Sequence, residues 1–428
     1  MNKLEEIFVA IWCVLMPVTG TLLLPSVQGT IPAYMMGFGS VLFVLMRLRF
    51  GEMTPALRGY LWTALLAFAA WAFLLAASQL GLLASDRTNF QDVSMIDPND
   101  LRVVLRGSMF TQSMYLAACV LIALYFRYFF RESWMKYVFY GGYLLAAYGI
   151  YEWLYFLIFH QAGDFLVNRS FGDDEHIASW SQGIDFGPVS LLRIKSTLGE
   201  PTFFAGVVLP YLFLALDHRK VVLSCMLLFT ALFSTSTACY LGLASCLVVK
   251  SVWSGRVKLG YVLLLGLFAL FVVGIAVVYP DTFDNMFGSK FAGDNVSGKM
   301  RLDQVIALHN LFASFSLPNW LFGVGFGYVY ESVFAELLID TGIVGLGLFL
   351  FVLFRPILLL PIRQGAEGLK LGLLAIAILF SLSLSELFLP PTWMFLGLAY
   401  RQLALGRISL PFLPHRPIRD RRVPVTSP

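Results

Sequence analysis

YLWTALLAFAAWAFLLAASQLGLL, Tyr60 to Leu83, holds no charged residue. It exceeds the ~20 apolar residues that carry a helix across the hydrocarbon core of a bilayer. Comparable runs recur through all 428 residues, of which 58% are hydrophobic and 13% charged. A soluble domain carries about 25% charged residues. The sequence therefore predicts an all-α, polytopic transmembrane helical bundle, one integral membrane domain over residues 1–428.

About twelve spans are expected. They fall near Ile7–Leu24, Ile31–Met46, Tyr60–Leu83, Met109–Phe130, Tyr137–Phe159, Leu198–Leu216, Val221–Phe233, Ala238–Val252, Leu259–Tyr279, Val333–Phe354, Leu371–Phe388 and Trp393–Leu405. The seventh and eighth are short and separated only by the polar STSTA, so a bent pair or a broken helix is expected there. With the N-terminus inside, the inner segments collect most of the 30 Lys and Arg residues, among them Lys3, Arg47, Arg58, Arg131, Lys136, Lys220 and Lys258, and the basic tail at 408–428. Positive residues favour the cytoplasmic side, which places both termini in the cytoplasm. The five cysteines all lie in apolar runs without metal-ligand or disulfide spacing.

Two long segments fall outside on this topology, 161–197 and 280–332, and the second contains an expected surface helix over MRLDQVIALHNLFASF. Leu302, Val305, Ile306, Leu308 and Phe312 there share one face. Within the same segment GDNVSGK matches the start of a phosphate-binding loop, but Met300 stands where Ser or Thr must hold magnesium. An extracytoplasmic loop meets no ATP, so the match is read as chance.

Basic residues are scarce outside, so their clustering carries information. Arg193 and Lys195 lie just before the sixth span, and Lys299 and Arg301 lie in the last large loop. Either they are solvated partners of nearby acids, or they form an anion site in which an arginine fork matches two phosphate oxygens. Glu331 follows three glycines in GVGFGYVYE, with Glu336 and Asp340 on the helix beyond it. Helix capping competes with substrate contact for these carboxylates. Glu152, inside the fifth span, is an internal ion-pair candidate. The tripeptides starting at Asn168 and Asn295 match a glycosylation acceptor, a pattern common by chance. No spacing suggests a bound metal.

Three segments resemble the superfamily of O-antigen polymerases and O-antigen ligases. They are STLGEPTFFAGVVLPYLFLAL from Ser196, STSTACYLGLASCLV, and RLDQVIALHNLFASFSLPNWLFGVGFG continuing to ESVFAELLIDTGIVGLGLFLF. In the last, Arg301, Gly323, Gly325, Gly327, Gly342 and Gly345 keep the order and approximate spacing of the family. The resemblance implies a glycosyltransferase of the bacterial inner membrane. Its substrate would be an undecaprenyl-pyrophosphate-linked oligosaccharide, used at the periplasmic face without cofactor or metal. Arg301 and Arg193 match the family's arginines, with Lys195 as a second choice. Ligases carry a histidine where Glu331 stands, and this departure favours a polymerase.

In that chemistry, positioned arginines neutralise the leaving pyrophosphate and a base takes the proton of the attacking hydroxyl. Glu331 is the candidate base and Glu200 the second, while Lys299 and Glu336 are candidate substrate contacts. Attack from the opposite face inverts the anomeric carbon. Expected partners are membrane lipid, a chain-length regulator and a flippase, with no nucleic acid. A ligase using lipid A-core as acceptor and a multi-span transporter are the rival readings.

Overall fold

The computed structural model describes residues 2–25, 27–51, 53–85, 88–90, 93–169, 183–186, 189–254, 266, 269–270, 273–274, 276–284, 306–362, 365–382 and 384–406. It is mostly helical. In chain order come α1 (Asn2–Leu15), α2 (Pro32–Phe50), α3 (Pro55–Leu83), α4 (Gly107–Tyr128), α5 (Met135–Phe159), a hairpin of β1 (Gly183–Phe186) and β2 (Val189–Leu192), α6 (Pro201–Asp217), α7 (Val221–Phe233) and α8 (Thr237–Ser254). After a helical segment at 306–313 follow α9 (Leu317–Phe322), α10 (Val333–Leu359), α11 (Glu367–Leu382) and α12 (Pro390–Ala404). Five helices are long and apolar enough to cross a membrane. The expected ninth span, Leu259–Tyr279, and the basic tail lie largely outside the described residues.

Local chemistry sets the helix ends. Helices α2, α3, α6 and α12 each open on a proline, whose fixed φ suits the first turn and whose missing N–H costs nothing there. Thr54 also caps α3 by accepting from Leu57 N–H at 3.2 Å. The first span is shorter than its apolar run suggests. Helix α1 stops at Leu15, because Pro17 cannot donate to the carbonyl four residues back. The chain then turns, and Gly20 N–H donates to Thr197 O at 2.8 Å. Helices α7 and α8 are separate, joined by a tight turn in which Thr235 has φ of 46°.

Helix α6 is buried along nearly its whole length and packs on α7, α8 and α11. Small residues let backbones approach: a Cβ on Gly372 would lie 3.0 Å from Pro210 Cα, and one on Gly141 would collide with Cys13 O. The outside of the bundle is apolar. On α3, Trp62, Leu65, Leu66, Phe73, Leu80 and Leu83 are all exposed. A greasy belt of this kind fits a lipid surrounding, as do the five helices long and apolar enough to cross a membrane.

The connections sort into two sets, one at each end of the bundle. At the basic end, Glu5 accepts from Arg47 at 2.5 Å and Tyr125 at 2.6 Å, Lys250 pairs with Glu367, and Asp217 accepts from Gly368 N–H at 2.9 Å. At the opposite end, segments 16–31, 93–106, 160–169, 193–200, 234–236, 323–332 and 384–389 bond to one another. Up-and-down alternation accounts for both sets.

Candidate functional site

Arg193 leaves β2 and reaches the α7–α8 turn. Its Nε donates to Thr235 Oγ1 at 3.2 Å and Ser234 O at 3.4 Å, and Nη2 donates to Thr235 O at 3.4 Å. The polar STST turn is thus a cradle that fixes the guanidinium plane. Burial depresses the Arg193 pKa, with Tyr240 and Glu200 opposing, yet an arginine stays charged throughout the physiological range. Glu200 occupies the N-cap position of α6. Burial raises its carboxyl, the Arg193 charge lowers it, and Glu386 raises it again.

Lys195 is paired with two carboxylates of the protein itself. It is fully buried, 2.9 Å from Glu152 Oε1 and 3.1 Å from Asp164 Oδ2. Glu152 also accepts from Ser196 N–H at 3.0 Å. The structure places this expected substrate contact in an ion triad, with Glu152 as its internal partner. A lysine in this position has two carboxylates to satisfy before any diphosphate.

The three glycines before Glu331 have a structural task. Gly323, Gly325 and Gly327 have φ of 75°, 137° and 75°, a region L-residues avoid. Their loop lies against a break in α10, where Gly342 has φ of 65° and ψ of −170°. A Cβ on Gly323 would strike the Asp340 carbonyl, and one on Gly342 would strike Leu321. Val324 N–H donates to Ile339 O at 2.9 Å, and Gly327 N–H donates to Asp340 Oδ2 at 2.6 Å. Asp340 is thus absorbed by the loop, whose backbone N–H groups at Tyr328 and Val329 also face it.

Glu331 stands just outside α10 and is half-buried. Burial pushes its carboxyl above the usual carboxylate value, against a hydrogen bond from Ser332 N–H. Glu336, in the first turn of α10, is 3% exposed and lies within electrostatic reach of Asp340, Glu386 and Glu331. Glu386 was expected inside the eleventh span. Because α11 ends at Leu382, it lies instead on the loop before α12. It pairs with Arg169 at 3.5 Å, and Arg169 Nε donates to Gln28 Oε1 at 3.1 Å. Neighbouring Ser385 donates to Tyr330 Oη at 2.7 Å. Sequence reasoning missed both members of this pair. Two cues existed: a carboxylate inside an apolar run, and Pro390-Pro391 marking a helix start just beyond it.

Arg301 and Lys299 lie outside the described residues. The surface helix is described at 306–313, where Ala307 and Leu311 are buried and Ile306 is 55% exposed. The buried face centres on Ala307 and Leu311 and shares Leu308 and Phe312 with the expected one. It packs with Leu82, Val93, Met109 and Tyr328 rather than lying free on lipid. Among the described residues, no group of His, Cys, Asp and Glu could hold a metal ion. No known family, curated protein or solved structure matches this chain.

Helices α6, α7, α11 and α12 have 17, 13, 16 and 15 residues, whereas α3 and α5 have 29 and 25. At 1.5 Å per residue the short set reaches about 20–26 Å and the long set about 38–44 Å. The α6–α7 connection carries Arg219 and Lys220 at the basic end.

Proposed function

We propose that the end of the bundle holding Arg193 is the active site of a membrane glycosyltransferase that polymerises oligosaccharide repeat units carried on undecaprenyl pyrophosphate. The observation that supports this most is the Arg193 guanidinium, held by the STST turn and facing Glu200 at the end where Glu331, Glu336 and Glu386 gather. A fixed cationic fork beside half-buried carboxylates is what displacement of a diphosphate by a hydroxyl requires. The greasy belt around the site suits polyprenyl tails.

In this reading Arg193 and Arg301 hold the donor diphosphate, and Glu331 takes the proton from the acceptor hydroxyl. The acceptor oxygen bonds to the anomeric carbon from the face opposite the diphosphate. The carbon–oxygen bond to the diphosphate breaks, and its electron pair leaves with undecaprenyl pyrophosphate. The product is inverted. The working topology places both termini in the cytoplasm and the site at the periplasmic face of the inner membrane, where a flippase would supply the donor and a chain-length regulator would act.

The test is reconstitution. Purified protein in nanodiscs is given a defined lipid-linked repeat unit, and products are resolved on a gel. Ladders of increasing length are expected. Transfer only onto added lipid A-core would identify a ligase instead, and no transfer to either acceptor would remove the proposal.

A further inference from the structure

The basic end carries a second feature, separate from the site above. A groove of 320 Å³ lies between α1 and α5, lined by Lys3, Glu6, Ile7, Ala10, Ile11 and Tyr137. Lys3, Ile7 and Ile11 recur at every fourth position and so form one stripe of α1, about 12 Å long. Ala10 provides a small floor beside it. The stripe is cationic at its Lys3 end and apolar at its Ile11 end.

The polar end is built from both helices. Tyr137 donates to Glu6 Oε1 at 2.9 Å, and the Lys136 ammonium lies 4.8 Å from the centroid of the Tyr137 ring. Lys136 approaches Glu6 only to 4.0 Å, and the two side chains are 54% and 41% exposed. An ion pair that long and that wet contributes little, so the lysine remains available to a third group. By contrast, Arg47 at the same end is committed to Glu5, and Lys370 to Leu360 O. Within the lining Lys3 and Glu6 balance, and Lys136, beside Glu6 at the rim, brings the net charge of the three to +1.

We propose that this groove binds a phospholipid of net negative charge, with one acyl chain along Ile7, Ala10 and Ile11 and the headgroup phosphate between Lys3 and Lys136. The apolar part follows from continuity. Leu4, Ile7 and Ile11 are 61%, 57% and 48% exposed and belong to the lipid-facing surface of the bundle, so an acyl chain fills this space in any bilayer. The selective part is the headgroup. A zwitterionic lipid leaves the +1 charge unbalanced, whereas an anionic phosphodiester neutralises it. Basic pockets between helices near the membrane surface recognise anionic headgroups in this way. Tyr137, apolar in its ring and polar at its hydroxyl, suits that depth.

The experiment uses the purified full chain in neutral detergent, titrated with dioctanoyl phosphatidylglycerol or dioctanoyl phosphatidylcholine and followed by native mass spectrometry. One phosphatidylglycerol is expected to bind at least tenfold more tightly than phosphatidylcholine. The double variant Lys3→Gln/Lys136→Gln is expected to bring the two lipids to equal affinity. Ile7→Trp, which fills the groove and leaves both lysines in place, is expected to weaken both lipids at least tenfold. All three positions are exposed, and unchanged thermal melts establish that the variants fold. Equal affinities in the parent protein overturn the proposal, as does a preference that survives the double variant. Unaltered binding in Ile7→Trp would trace the attraction to the basic end at large and overturn the groove. So would a dimer that dissociates on that substitution, because the occupant would then be a second copy.

Discussion

The Arg193 guanidinium is held through directional donors, so charge alone does not substitute for it. Arg193→Lys keeps the cation but loses the planar fork that meets Thr235 and Ser234. Chain elongation in the nanodisc assay is expected to fall at least tenfold, about 1.4 kcal/mol, while the thermal melt stays near that of the parent. Glu331 gives a second prediction. Its carboxyl titrates above the ordinary value because it is half-buried, and a base works only when deprotonated. Activity is therefore expected to fall as pH drops through that raised value, higher than an ordinary glutamate would give. Glu331→Gln is expected to remove this acidic limb together with most turnover, and a pH–rate profile of each protein checks it. Lys195 belongs to stability instead. Lys195→Met strands the buried Glu152 charge, which costs about 3–5 kcal/mol. Adding Glu152→Gln is expected to recover most of the loss, as read by thermal unfolding in detergent.

At the scale of elements, the decisive joint is the glycine loop seated in the break of α10. Gly323→Ala and Gly342→Ala each place a Cβ against backbone at positive φ, and the strain alone is about 1–3 kcal/mol. Gly347, on the same helix, has open space around it, so Gly347→Ala is expected to leave the melt unchanged or slightly raised. Much of this level was legible in the sequence. Uncharged runs located α2 to α8 because helix length and apolar length coincide there. They failed at α1 and α11, where the chain stays apolar beyond the helix: Leu22 and Leu387 are buried loop residues. Apolarity reports burial or lipid contact, not backbone conformation. The site was less legible still. Arg169 and Glu386 stand 217 positions apart, and no local period announces such a meeting. Lys195 and Arg193 are two residues apart, yet they serve different neighbours.

At the scale of the whole molecule, the grouping of loops at two ends makes topology testable. Leu101, 91% exposed, lies at the Arg193 end, and Phe50, 76% exposed, lies at the basic end. In a Cys225→Ser background, Leu101→Cys is expected to react with an impermeant maleimide added to intact spheroplasts. Phe50→Cys is expected to react only after lysis. The reverse pattern would invert the bundle and move the proposed site to the cytoplasm.

Helix α7 has a consequence for the bilayer itself. Its 13 residues rise about 20 Å against a hydrocarbon slab of ~30 Å, and Val221, Val222 and Cys225 face outward from it. Lipids beside so short a wall must compress or tilt. On the function proposed above, a leaflet that dimples next to the STST turn would bring a lipid-borne diphosphate down toward Arg193.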